Sequence, residues 1–222
     1  MKVAENELYA SALKAGRGVH LEEGLCEDFA RAVCWLCSHG LDGAGAGVSV
    51  LECAVKRGAG VPIPRYERRE ATHHFFDAPV HVATPSALDL MVGQASTHAV
   101  VHDIDEPLLV VGYAGVAAMN VGRAIGLEPA YVPTAGENGS AVRIDAQGVH
   151  GQLWPMVSPQ SLRLFFEDTG PEKPQGVLSS RPVLDVTQMC WERLQRFAAA
   201  TYVAQSAESR VHGAGGARVD ED

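Results

Sequence analysis

The chain has 222 residues, a length that allows one large domain or two small ones; we read one domain spanning 1–222. Apolar residues make up 46% and charged residues 20%, which excludes a disordered chain and implies a sizeable core. A net charge of -9 and the lack of any Lys/Arg stripe interleaved with aromatics argue against a nucleic-acid partner.

No apolar run approaches the ~20 residues needed to cross a bilayer. The stretch Met1 to Glu7 has no basic, apolar leader pattern, so the expectation is a cytoplasmic protein without a membrane partner. Only four of 18 basic residues are Lys, and Ala, Gly, Val and Arg abound, which fits the GC-rich codons of a bacterial source.

In chain order, Glu5 to Ala15 predicts a short helix broken by Gly16-Arg17-Gly18. A stronger helix follows over Glu22 to His39, where Leu25, Phe29, Ala32, Val33 and Leu36 recur at three-to-four spacing and Gly40 is the stop signal. Val48 to Lys56 reads as a third helix, and Gly58 to Arg69, with two prolines, as a loop. Residues 1–57 are thus a helical segment.

From residue 70 short apolar runs between Gly, Pro and Asp predict a sheet-rich core over 70–184. Pro79 to Ala83 is read as a strand and Pro85 to Gln94 as a helix. Ala99 to His102 and Leu108 to Val111 are read as buried strands, and Gly115 to Gly126 as a helix. Ala141 to Ile144 and Val149 to Leu153 flank Asp145-Ala146-Gln147-Gly148, the signature of a hairpin. Leu162 to Glu167 reads as a strand, 185–205 as a long C-terminal helix, and 206–222 as an ordered, Gly-rich tail. The fold class expected is α+β, with a helical N-terminal segment, a mostly antiparallel or mixed sheet with hairpins, and a long C-terminal helix.

Several residue groups carry candidate chemistry. Cys26, Cys34, Cys37, Cys53 and Cys190 form an odd, unevenly spaced set, and Cys34-Trp35-Leu36-Cys37 lies inside a helical pattern, so buried, reduced thiols are expected rather than a redox pair. His73, His74, His81, His98 and His102 cluster with Asp77, Asp103 and Asp105. On a strand, however, His98 and His102 stand about 13 Å apart, and His73 and His74 point to opposite faces, so no metal site is assigned. Gly43 to Gly47 follows a helix, unlike a dinucleotide loop, whereas Gly112-Tyr113-Ala114-Gly115 follows an expected strand but lacks the third glycine.

In the tail, Ser206, Ser209, Arg210, Gly213 and Gly215 are candidate substrate-binding residues. Arg210 would pair with a carboxylate, Ser206 and Ser209 would orient it, and the glycines would let backbone N–H groups approach. Glu208 and Asp220 are the candidate proton-handling, catalytic residues. The alternative is a solvated terminus.

Ser38-His39-Gly40, at the end of the second helix, is similar to a Ser-His-Gly element near the N-terminus of the malate/L-lactate dehydrogenase type 2 family of NAD(P)-dependent enzymes. The similarity covers about 40 residues; His39 is either a catalytic group, as it implies, or a residue favoured by the helix dipole.

A second resemblance rests on Lys14-Ala15-Gly16-Arg17-Gly18, Arg31-Ala32-Val33, Trp35-Leu36 and Gly40-Leu41-Asp42-Gly43 near the start. It continues in Ala200-Thr201-Tyr202-Val203, Ser206, Ser209-Arg210, Gly213-Ala214-Gly215 and Asp220 to Asp222 at the end. Together these resemble the opening and closing signatures of a bacterial family, domain of unknown function 3726. This chain departs from the family's longer Gly-Ala alternation at Gly216 and from its Asp-Asn-Asp ending at Glu221. The resemblance implies a shared fold and tail site, not a reaction.

These readings converge on a bacterial small-molecule protein, an enzyme acting on an amine, amide or carboxylate metabolite. No cofactor is assigned from the sequence, and a homo-oligomer or heteromeric complex is left open. The alternatives are a non-catalytic accessory subunit, a metal-dependent hydrolase and an NAD(P)-dependent oxidoreductase.

Overall fold

The computed structural model describes residues 1–58, 63–93, 98–130, 141–153, 160–167 and 183–201. Strand β1 (Lys2–Ala4) leads into α1 (Glu5–Gly18), α2 (Glu23–Ser38) and α3 (Gly43–Arg57). Then come β2 (Arg65–Arg69), β3 (Thr72–Phe76), α4 (Val80–Gly93), β4 (His98–Ile104), α5 (Pro107–Val121) and β5 (Ile125–Pro129). The remaining elements are β6 (Val142–Asp145), β7 (Gly148–His150), β8 (Gln160–Phe166), β9 (Val183–Asp185) and α6 (Gln188–Ala199). The fold class is α+β, with helices first, a mixed sheet and a C-terminal helix, as the sequence predicts.

Seven strands form one sheet in the order β2-β3-β4-β8-β5-β6-β7, and β1 pairs separately with β9. Only β3 and β4 run parallel, joined by the α4 crossover; the other neighbours are antiparallel. Register puts Phe75, Val101, Leu162, Leu127 and Val142 on one side of the sheet, all buried. Helices α4 and α5 lie on the sheet, α2 packs on α5, and α1, α3 and α6 complete the helical layer.

The expected helices over the first 57 residues are present, and the reasons for their ends are local. Helix α2 closes with Gly40 at φ 78, its amide bonding Cys37 O while Leu41 N reaches Leu36 O. Asp42 then caps α3 by accepting from Gly45 N at 2.9 Å. Helix α3 starts earlier than expected because Gly43 and Gly47 are contact points. A Cβ at Gly43 would meet Val33 O at 2.4 Å, and one at Gly47 would meet Val33 Cγ2 at 2.9 Å. Similarly, Gly16-Arg17-Gly18 continues α1 instead of breaking it, since Gly18 lies against Phe197 O of α6.

Three strand or loop assignments need correction. Pro79 to Ala83 is not a strand: α4 begins at Val80, whose amide donates to Asp105 Oδ1 at 2.9 Å, a cap supplied from 25 residues away. Leu108 to Val111 is the first part of α5, with Pro107 at its start and Leu109, Val110 and Val111 fully buried. A segment apolar on every side reads the same as helix or buried strand, so periodicity could not choose. Within the expected loop Gly58 to Arg69, residues Arg65–Arg69 form β2, a charged edge strand paired with β3. The hairpin around Asp145 to Gly148 is present, with Ile144 opposite Val149 and Gly148 at φ 135.

Helix α5 approaches α2 through two glycines. A Cβ at Gly115 would lie 2.1 Å from Cε2 of Trp35, and one at Gly112 2.7 Å from Ala32 O. Replacing Gly115 with Ala should therefore cost about 1–3 kcal/mol or more, seen as a fall in thermal midpoint of roughly 2–4 °C per kcal/mol. Gly24→Ala, where nothing lies within 4 Å, should instead stabilise the helix by about 0.5–1 kcal/mol. Thermal denaturation of the two variants beside the parent checks the contrast.

Candidate functional site

The end of α2 places a histidine in a defined environment. His39 Nδ1 lies 2.7 Å from Trp35 O and 3.1 Å from Ser38 Oγ, while Ser38 Oγ donates to the same carbonyl at 2.8 Å. A carbonyl oxygen only accepts, so Nδ1 carries the hydrogen, and in the neutral ring the lone pair sits on Nε2. The imidazole stacks on the Trp35 indole with centroids 4.0 Å apart and planes at 29°. Trp35 in turn rests on Gly115 of α5. At its Cδ2 corner the ring meets the β6–β7 hairpin, where a Cβ on the buried Gly148 would lie 3.0 Å from His39 Cδ2, 3.8 Å from Nε2 and 3.9 Å from Cγ.

The hairpin carries its own polar network. Asp145 accepts from Gln147 N at 2.8 Å and pairs with His150 Nε2 at 2.9 Å and Arg143 Nε at 3.4 Å; Arg143 also reaches Glu167 at 3.6 Å. Burial works to raise the Asp145 carboxyl, but the bonds from His150 and Gln147 and the Arg143 charge outweigh it and hold it below the usual carboxylate range. Half-buried His39 and this network are the candidate site.

The central histidines are drawn into structure. His73 and His74 project to opposite sides of β3, as expected from strand alternation. His73 Nδ1 lies 2.8 Å from Tyr66 OH, while His74 Nδ1 meets His102 Nε2 at 3.0 Å, and His102 stacks on Phe76 at 4.0 Å. His98 and His102 share β4, the strand geometry anticipated for them. Among the described residues no group of three or more His, Cys, Asp or Glu side chains is placed to hold a metal ion.

Cys34 and Cys37 are buried free thiols, both pushed up by burial, Cys37 to about 11 despite amides of Gly43 and Ala44. They have the inert character expected of them. Gly112 and Gly115 lie inside α5, not in a phosphate loop. The sequence-predicted site residues Ser206, Glu208, Ser209, Arg210, Gly213, Gly215 and Asp220 lie outside the described residues. What sequence reasoning underweighted is His39, whose partners Trp35 and Gly148 are separated from one another by more than 100 residues.

Comparison with known proteins agrees with the opening signature of one resemblance and is consistent with the weak dehydrogenase similarity. A family model described as "Protein of unknown function (DUF3726)" matches residues 3–67, the stretch holding the opening signature. Among solved structures, malate dehydrogenase from Pyrococcus horikoshii OT3 superposes with a TM-score of 0.50 at 12% identity, covering 64% of this chain and 46% of that one. Malate dehydrogenase from Entamoeba histolytica gives 0.48 at 14% identity, covering 75% and 48%. Sulfolactate dehydrogenase from Methanocaldococcus jannaschii gives 0.45 at 13%, covering 64% and 46%. No curated protein sequence matches. The likeness is one of fold, and the chain spans just under half the length of these dehydrogenases. No described helix is long and apolar enough to cross a membrane.

A buried histidine outside the site gives a pH prediction. His81, 3% exposed at the start of α4, is pushed down to about 4 by burial, against the opposing pull of Asp105. In the unfolded chain it protonates near 6.5, so between pH 6.5 and 4 the unfolded state binds the extra proton. Its contribution is present above pH 6.5 and is lost as pH falls to 4, by roughly 3 kcal/mol. His73, His74 and His102 are lowered in the same sense by burial. Denaturant unfolding across this window should show the loss, with a shallower slope in His81→Gln; equal slopes would refute the assignment.

Proposed function

We propose that the chain is a small-molecule enzyme that moves a proton to or from an oxygen of a small carboxylate metabolite, with His39 as the general acid–base. The observation that carries this is the fixed state of that ring. Nδ1 is committed to the Trp35 carbonyl, which leaves Nε2 as the proton-accepting atom at the edge of a half-buried position. A general base needs that combination of a held ring and an available lone pair.

A hydroxy or oxo acid is the substrate class that we favour. The fold likeness to a malate dehydrogenase and the sequence similarity of Ser38-His39-Gly40 support it. Gly43 and Gly47 of α3 and Gly112 and Gly115 of α5 are used for helix contacts with α2. The chemistry proposed is proton transfer at His39.

The test is a thermal scan of the intact chain and of His39→Gln with L-malate, L-lactate and their 2-oxo counterparts. At ~100 times Kd a ligand adds about 2.7 kcal/mol, a rise of roughly 5–10 °C. At least one acid should produce such a rise, and His39→Gln should bind it ten-fold or more weakly while keeping its ligand-free midpoint. The reading fails if no acid shifts the midpoint, or if His39→Gln responds as the parent does.

A further inference from the structure

We infer that Trp35 is the positioning residue of the site: its indole face, more than its carbonyl, keeps His39 in the one ring orientation that leaves Nε2 to accept a proton. The inference deepens the proton-transfer reading and rests on it for its purpose, while the orientation of the ring is measured without any substrate.

The bond to Trp35 O is a weak tether by itself. A carbonyl oxygen has two lone pairs, and this one is approached by three donors: His39 Nδ1 at 2.7 Å, Ser38 Oγ at 2.8 Å and the His39 amide at 3.2 Å. The amide divides itself between that oxygen and Leu36 O at 3.1 Å, and Ser38 Oγ also stands 3.1 Å from Nδ1. A ring held at one shared acceptor can pivot about that bond. Its face stops it: the imidazole lies on the indole with centroids 4.0 Å apart and planes at 29°, closer than the about 4.5–7 Å usual between aromatic rings.

The indole is itself fixed. Trp35 is 5% exposed and lies against the backbone of α5, where a Cβ at Gly115 would be 2.1 Å from Cε2 and 2.4 Å from Cδ2 and Cζ2. Residues four apart on a helix are neighbours on one side, so platform and imidazole come from successive turns of α2. The platform is kept at a cost to the fold. Trp35 Nε1 is buried and finds no hydrogen-bond partner among the described residues, and an orphaned buried donor is destabilising. A buried polar atom left without a partner calls for a role beyond packing, and the face under His39 supplies one.

The experiment reads the His39 ring nitrogens of the full chain by NMR at about pH 8, above the ordinary histidine value of about 6.5. Free neutral histidine favours hydrogen on Nε2. In the parent the hydrogen should lie on Nδ1, with Nε2 at the unprotonated position, and the His39 ring protons should be shifted upfield by the indole. Trp35→Phe should keep the nitrogen pattern. Trp35→Leu, which leaves the carbonyl in place, should move both nitrogens toward the average of the two tautomers. Because Trp35→Leu can fail to fold, Gly115→Ala displaces the indole without changing residue 35 and should shift the nitrogens in the same direction.

A folded Trp35→Leu or Gly115→Ala with the parent's nitrogen pattern overturns the inference, and so does a parent whose His39 protons show no upfield shift. Loss of the pattern in Trp35→Leu combined with an unimpaired acid response in His39→Gln would keep the role of Trp35 and remove the proton-transfer reading. The opposite pair of results would keep His39 as the reacting group and leave its orientation to the carbonyl.

Discussion

The close approach of α5 to α2 is the contact on which the rest of the structure depends. Helix α5 is buried on both sides, against β5 and β6 of the sheet and against α2, and accordingly has no polar face. Its thickness sets how far α2 stands from the sheet. Gly112 and Gly115 reduce that thickness to backbone alone, bringing Ala32 O and the Trp35 indole against it. Trp35 carries His39 by stacking and through its carbonyl, whereas Gly148 belongs to the sheet. The gap between His39 and the hairpin is therefore fixed by a packing distance two elements away, and a methyl group at 115 alters the site without touching it.

Most of the other polar side chains are occupied by the fold. Asp42 caps α3; Asp105 caps α4 and holds Arg57 at 3.0 Å. Glu106 stands at the start of α5, its carboxyl raised by burial against a hydrogen bond from Ser49. Each places an acidic group at a helix N-terminus, where the dipole favours it. On the sheet side away from α4 and α5, His74 and His102 share a bond that requires one nitrogen with a hydrogen and one without, so a doubly charged pair is disfavoured. The guanidinium of Arg65, 4.2 Å above the Phe76 ring, adds to that preference. His39 differs in having Nδ1 committed to a backbone carbonyl, that of Trp35.

How much was legible in the sequence depends on where each signal lies along the chain. The three N-terminal helices, the hairpin at 145–148, the strand at the middle histidines and the α+β class follow from neighbours a few residues apart, and those readings hold. Pro85 to Gln94 and Gly115 to Gly126 read as helices and overlap α4 and α5, but the first turns of α4 are not legible, because its cap is Asp105, nor is the first half of α5, because an element buried on every side has no periodicity to read. The site was visible in part. Ser38-His39-Gly40 marked the residue and its backbone setting, but the packing of Trp35 on Gly115 and the contact of the ring with Gly148 are tertiary facts. No pattern within forty residues of His39 contains them.

The glycines show where local reasoning can be sharpened. Taken as punctuation, Gly16-Arg17-Gly18 ends a helix and Gly43 to Gly47 is a linker; in the fold both lie inside helices. Gly43 and Gly47 are four apart and Gly112 and Gly115 three apart, and at these spacings two positions share one side of a helix. Such a pair removes a strip of side chains from one face only, which lets another helix lie against the backbone. A phosphate loop needs the reverse, successive glycines whose amides turn toward a single point between a strand and a helix. Gly40 and Gly148 satisfy neither pattern: each follows a polar residue at the end of an amphipathic or alternating segment, and each takes a positive φ. Spacing thus separates the glycines that pack helices from those that turn the chain, and it is the turning pair that flanks His39, one next to it in sequence and the other against its ring.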